Sequence, residues 1–232
     1  MGRPSFIRHS WDLGPAEAIA LQRELRKRLV FRPLKRPPRT VAGADISVPR
    51  FGRRAVAAVV VLALPALDVV EESFAAGELL FPYVPGLLSF REGPLLEEAI
   101  GRLGRRPDLV LFDGQGIAHP RGFGIASHLG LRMGLRAAGC AKSRLWGEES
   151  PPPRSRGAWT PLRSPGDGRV VGAALRTRAG VKPVYVSPGH GIDLEGAIAC
   201  TLAAAPRFRL PEPIRAAHAR ANEERRRLGI AG

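Results

Sequence analysis

The residues best suited to chemistry are three carboxylates far apart in the chain: Asp45, Glu92 and Asp113. Asp45 interrupts the apolar run TVAGADISVP, where an acid sits poorly in a strand and needs a partner. Asp113 ends the short apolar run LVLF, and Gly114 and Gly116 follow it, where backbone can approach another molecule closely. Glu92 lies in the proline-bounded segment FPYVPGLLSFREGP. Brought together, carboxylate oxygens suit a hard divalent cation such as Mg²⁺ or Mn²⁺, and without one they repel each other. Each acid also has a plainer reading. Asp113-Gly114 is a common turn dipeptide. Ser89-Phe90-Arg91-Glu92 matches a helix capping box, whereas Pro94 at a first helical position would leave Glu92 outside the helix.

The elements that must position these acids follow from the hydrophobic pattern. A helix is predicted from Pro15 to about Val30, with Leu21, Leu25 and Leu29 forming a stripe between charges. TVAGADISVP, AVAAVVVLAL and DVVEESFAAGE read as three strands of an antiparallel meander, with a turn at Gly52. A helix through LLEEAIGRL, a fourth strand at LVLF and a helix in GFGIASHLGLRMGL come next, then a short strand in RAAGCAKSRLWGE. Residues 147–168, rich in Pro, Gly, Ser and Arg, read as an exposed loop. VVGAALRTR and KPVYVSPGH are two further strands, and helices around 192–204 and 213–228 follow. This order predicts an α/β chain with a mixed central sheet, three antiparallel strands then parallel strands, flanked by helices. If the first and fourth strands are neighbours, Asp45 and Asp113 converge at one end of the sheet, with Glu92 entering from above.

The 232 residues fit one domain able to bury a sizeable core. The 36 Lys and Arg against 21 Asp and Glu leave a formal charge of +15, which attracts polyanions, nucleic acid before anionic membrane. A generally arginine-rich protein with no particular partner accounts for the charge equally well. Cys140 and Cys200 supply neither a disulfide framework nor a CxxC metal spacing and read as small buried residues. The longest apolar run, Ala55 to Leu67, is too short to span a bilayer and contains Pro65. No signal-peptide pattern opens the chain. The expectation is a soluble, cytoplasmic protein with no membrane partner, monomeric by default.

Longer strings narrow the reading. GADIS, PYVPGLLSFREGP, PDLVLFDGQGIAHPRGFGIASHLG, GCAKSRL and KPVYVSPGH, in this order and spacing, closely resemble endonuclease V. That family consists of inosine-directed nucleases with an RNase H-like fold. The resemblance runs over roughly residues 10–228, which implies a single domain for residues 1–232. It implies that Asp45, Glu92 and Asp113 bind the metal, Mg²⁺ with Mn²⁺ as a substitute, and that Lys142 and His218 join them in catalysis. Pro82, Tyr83, Val84 and Pro85 match the wedge that enters the helix near the lesion. Leu88, Gly114, Gly116, Ile125 and Leu145 are similar to the pocket for the flipped hypoxanthine. His119 and His190 fall in matching strings, and substrate contact by either is left open.

The resemblance further implies a metal-assisted attack in line on the phosphate, with Lys142 offsetting its charge. The expected substrate is DNA carrying deoxyinosine, cut one nucleotide past the lesion on its 3′ side to leave 3′-OH and 5′-phosphate ends. Inosine in RNA is the nearest alternative. A non-catalytic binder of deaminated nucleic acid is a second, and a junction-resolving or transposase-like nuclease on the same sheet a third. Lys142 alone also reads as a solvated lysine, Tyr83 as a loop anchor, and His218 as a core-boundary residue sharing a face with Ile214 and Ala221.

Overall fold

The computed structural model describes residues 7–50 and 52–230. Helix α1 (Pro15–Arg26) precedes a meander of β1 (Thr40–Ser47), β2 (Arg54–Ala63) and β3 (Asp68–Glu78). Helix α2 (Leu88–Gly101), β4 (Leu109–Phe112), α3 (Ile125–Met133) and β5 (Ala137–Ala141) follow. The chain then adds β6 (Trp159–Arg163), β7 (Val170–Leu175), β8 (Val184–His190), α4 (Leu194–Ala203) and α5 (Glu212–Arg227). The strands form one sheet in the order β3-β2-β1-β4-β5-β8-β7-β6. The β1–β4 and β4–β5 pairs are parallel, and all other pairs are antiparallel. This is the mixed, helix-flanked, RNase H-like sheet expected from the resemblance, with β8 and β7 joining antiparallel where parallel strands were expected.

Alternation along the strands divides the core into two layers. Ala42, Val59, Val61, Val110 and Phe112 pack with residues of α2 and α3. Val41, Val60, Leu109 and Leu111 pack on the other face, with Ile198 of α4 and Ile214 and Ala217 of α5. All four residues of β4 are therefore buried, which explains why LVLF lacks any polar alternation. Gly43 sets how closely α5 approaches: a Cβ there would lie 2.0 Å from the Pro213 carbonyl oxygen. No larger residue leaves room for that helix.

Three further expectations need correction. Helix α1 stops at Arg26 rather than near Val30. The next residues form an irregular strap, tied down by Gly191 N–H to the Val30 carbonyl (2.7 Å) and Asp193 N–H to the Arg32 carbonyl (3.0 Å). Residues 147–168 are not all loop, because β6 forms the sheet edge, where Pro161 is tolerated and only Leu162 is buried. Helix α2 begins at Leu88 and encloses Pro94, so Glu92 lies inside the helix and Ser89 caps nothing. Tertiary burial explains the early start: Leu87 and Phe90 pack with Phe81 and with Ala18 of α1, anchoring a first turn that propensity alone disfavours.

A histidine pair, His128 buried and His9 half-buried, secures α2 and α3 to the N-terminal segment. His128 lies 2.9 Å from Ser89 Oγ through Nδ1 and 2.7 Å from His9 Nε2 through Nε2. Cys140 and Cys200 are buried and unpaired. Among the described residues no helix is long and apolar enough to cross a membrane.

Candidate active site

The parallel register of β1 and β4 brings two of the acids together. Ala44 pairs with Phe112, so Asp45 and Asp113 lie one step further along neighbouring strands, and the Asp113 N–H donates to the Ala44 carbonyl at 3.3 Å. Glu92 reaches the same end from α2, one turn after Leu88. All three share one electrostatic environment. Burial pushes the Asp45 carboxyl up, and the charge of Asp113 adds to this. Glu92 is pushed up to about 8, by burial first and then by Asp45, with Asp113 adding further. No hydrogen bond or ion pair from another described residue reaches the Glu92 carboxyl.

Two cationic or imidazole partners complete the cluster. Lys142, at the end of β5, donates from Nζ to Asp113 Oδ2 at 2.5 Å. Burial pulls the Lys142 amine down, but the hydrogen bond and charge of Asp113, with Asp45 behind it, leave it raised. Arg209 holds this segment by donating to the Lys142 carbonyl at 2.5 Å and the Pro183 carbonyl at 2.8 Å. His218 Nδ1 lies 2.7 Å from Asp45 Oδ2, and its Nε2 lies 3.1 Å from Asn222 Nδ2. Of the two neighbours on its face, Ile214 and Ala221 are buried while His218 itself is exposed.

The arrangement is not a ready-made cage. Among the described residues no three His, Cys, Asp or Glu side chains are placed to hold a metal ion as they stand. The reason is visible in the pairs just described: adjacent carboxylates repel, and Asp113 and Asp45 have turned to Lys142 and His218. The donor chemistry nevertheless fits a hard divalent cation, because three carboxylates gather at one end of the sheet, the proton affinities of Asp45 and Glu92 are raised, and Glu92 lacks any partner.

A cavity of about 250 Å³ opens directly beside the cluster, with Asp113 and Lys142 in its wall. Residues 23–219 match the sequence profile of the endonuclease V family. An endonuclease V of Roseiflexus sp. (strain RS-1) is 52% identical over 215 residues, covering 93% of this chain and 95% of the relative.

This chain belongs to the endonuclease V family.

The crystal structure of endonuclease V from Streptomyces avermitilis superposes with a TM-score of 0.90 at 42% identity, over 98% of this chain and 100% of that one. Ciona intestinalis endonuclease V, crystallised with a 24mer DNA containing an inosine followed by a ribo-adenosine, is 26% identical, with a TM-score of 0.79 and coverage of 92% and 98%.

In this member of the endonuclease V family the cavity is bounded by Tyr83, Val84 and Pro85 on one side and by Leu88, Gly114, Ile125 and Leu145 on others. Tyr83 is 72% exposed and Leu145 is 47% exposed. Pro82 is exposed beside them but outside the cavity wall. Gly116 is also outside it. Its N–H donates to Ser187 Oγ at 2.8 Å, and a Cβ there would lie 2.0 Å from the Pro188 carbonyl oxygen, so this glycine seats the loop on β8.

Of the two histidines left open, His119 is held by protein partners and His190 stands away from the acid cluster. His119 lines the cavity but is buried, with Nε2 donating to the Gly86 carbonyl at 2.9 Å and Nδ1 accepting the Arg121 N–H at 3.2 Å. Burial, then Arg121, holds its imidazole down at about 4. His190 pairs with Ala137 because β8 runs antiparallel to β5, which puts it at the opposite end of the sheet from Asp113. Its Nδ1 accepts the Val30 N–H at 3.4 Å.

Sequence reasoning missed Gln22 and Gln115. Gln22, from α1, donates to the carbonyls of Gly86 and Phe123, each at 3.0 Å, and accepts from Arg121 Nε at 2.5 Å. It thereby fixes the turn that carries Tyr83. Gln115 lines the cavity, donates to the Ser143 carbonyl at 3.2 Å, and keeps its Oε1 without a partner among the described residues. The glutamine between Gly114 and Gly116 was a readable signal for Gln115. Nothing in the sequence marked Gln22.

Proposed function

We propose that this chain hydrolyses a phosphodiester bond in DNA carrying deoxyinosine, one nucleotide past the lesion on its 3′ side, leaving 3′-OH and 5′-phosphate ends. The observation that carries this reading is the shared wall: Asp113 and Lys142 belong both to the acid cluster and to the base-sized cavity. A nucleotide everted into the cavity presents its own backbone to the acids. The Ciona relative bound to inosine-containing DNA supports this choice of base.

Asp45, Glu92 and Asp113 would hold a divalent cation, Mg²⁺ or in its place Mn²⁺, which when bound supplies Lewis-acid neutralisation of phosphate charge. The remaining roles belong to the chain. Lys142 Nζ, released from Asp113, offsets charge on the non-bridging phosphate oxygens. Glu92 orients the attacking water, and His218, steadied by Asp45, handles a proton at the scissile phosphate. Tyr83, stiffened by Pro82 and Pro85, fills the space left by the everted nucleotide, so insertion orders little additional chain. A non-catalytic binder would have no use for three carboxylates facing a phosphate.

RNA is the second reading, favoured by the ribose that follows the inosine in the Ciona complex. A nicking assay on matched 5′-labelled inosine DNA and inosine RNA, with Mg²⁺ and with EDTA, tests substrate, metal and cut position together. Cutting of the DNA at the second phosphodiester 3′ of inosine, abolished by EDTA, is the expected outcome. A strong RNA preference replaces the first reading with the second, and binding without cutting defeats both.

A further inference from the structure

Across the loop that carries His119 lies a second cavity of the same size as the first, about 250 Å³, and His119 is a wall of both. Segments remote in sequence build it: Arg26 from the end of α1, Phe31 from the strap, Trp146 after β5, and Ser164 and Arg169 from the turn joining β6 to β7. No Asp or Glu lines it. The Arg26 guanidinium has no hydrogen-bond acceptor among the described residues, and neither does the Trp146 indole N–H. Arg169 donates from Nε to Asp167 at 2.6 Å, which leaves the rest of its fork available. Gly122 places Arg26 here: a Cβ at Gly122, whose φ is 63°, would lie 2.6 Å from Arg26 Nε.

Phe31 is 44% exposed outside any helix or strand, so its ring contributes little to the core. Exposed Phe31, half-buried Trp146 and two guanidinium groups, with the nearby carboxylate of Asp167 occupied by Arg169 Nε, suit a flat ring that carries a phosphate. We propose that this cavity is a second nucleotide subsite, which takes an unstacked base of the bound nucleic acid against Phe31 and Trp146 with Arg26 and Arg169 at its phosphate. The proposal rests on the reading that nucleic acid is the substrate. Eversion of one nucleotide leaves neighbours or a partner base unstacked, and a second stacking surface recovers part of that loss.

The test compares wild type, Phe31→Ala and Phe31→Tyr by fluorescence anisotropy in EDTA, using an inosine duplex and the corresponding inosine single strand. Phe31→Ala is expected to weaken binding roughly tenfold, and Phe31→Tyr to restore it, since stacking needs a ring and not a particular one. Weakening confined to the duplex assigns the base to the complementary strand, and weakening of both assigns it to the cut strand; either result supports the subsite. Arg26→Ala, a substitution at an exposed position, is expected to lower the salt dependence of binding by about one phosphate contact. Equal affinities for all three proteins overturn the proposal, as does a Phe31→Tyr variant as weak as Phe31→Ala. Quenching of tryptophan fluorescence by inosine 5′-monophosphate that depends on Phe31, with oligonucleotide affinity unaltered, also overturns it by giving the cavity to a free nucleotide. Because binding is read without cutting, a wild type that never nicks inosine defeats the proposed reaction and still leaves the Phe31 comparison readable.

Discussion

His218 Nδ1 lies 2.7 Å from Asp45 Oδ2, although 173 residues separate them in the chain. The contact exists because Gly43, two residues before Asp45, lets α5 press its first turn onto β1. Lys142 holds Asp113 in the same way from the end of β5. Each strand-borne acid is thus matched by one side chain able to carry a positive charge, and Glu92 alone is left unmatched.

Replacing His218 with Ala is expected to lower single-turnover nicking by about 10²- to 10⁴-fold, the usual contribution of a positioned proton-transfer group. Stability should change by less than about 1 kcal/mol, because the His218 side chain is 56% exposed. Nicking kinetics and urea denaturation of the same variant check both halves. An unchanged rate removes His218 from the chemistry.

Gly43→Ala forces α5 away from β1, since the added methyl would meet the backbone at Pro213. The expected cost is about 1–3 kcal/mol of stability, typical of overpacking, together with a loss of nicking as His218 leaves Asp45. Denaturant titration and the nicking assay measure these separately. A Gly43→Ala protein of wild-type activity would show that the close approach of α5 does not position the site.

Glu92 makes the cation-free protein less stable in alkali. The unfolded chain releases this proton near 4.5, whereas the folded chain keeps it to about 8. Between those values the folded state binds more protons, so stability falls as pH rises, by up to about 1.4 kcal/mol per pH unit. The contribution is fully present below pH 4.5 and lost above pH 8. Glu92→Gln should flatten this limb, melting above wild type at pH 8.5 in EDTA while failing to nick. Mg²⁺ should raise the melting temperature of wild type more than that of the variant. Thermal melts across pH decide the matter, and parallel curves for the two proteins would take Glu92 out of the buried cluster.

Two buried histidines set the acid limb. His119 is held at about 4, and His128 well below its ordinary value, by burial first and then by the charges of His9 and Arg132. The unfolded chain protonates both near 6.5, so stability is expected to fall as pH drops from about 6.5 towards 4. His119→Gln should reduce that slope, measured by urea midpoints at pH 4.5, 5.5 and 7.0. An unaltered slope would mean that His119 takes up its proton in the folded state.

The strands were legible because their causes are local. β-branched runs marked β2, and the unbroken apolar LVLF marked β4 as a strand covered on both faces. The three acids, Lys142 and the Tyr83 segment were legible as residue types in recognisable strings. What a short-range pattern could not carry was packing. Helix α2 swallowed Pro94 because Leu87 and Phe90 had a core to fill, and β6 formed in a proline-rich stretch because β7 offered an open edge. His190 sat in a matching string, yet the antiparallel run of β8 put it at the wrong end of the sheet. By itself the sequence determined which side chains were available and where every strand but β6 would form. The tertiary structure decided which of them meet, because the sheet register and the helix seats, spaced by single glycines, are set by burial between residues distant in the chain.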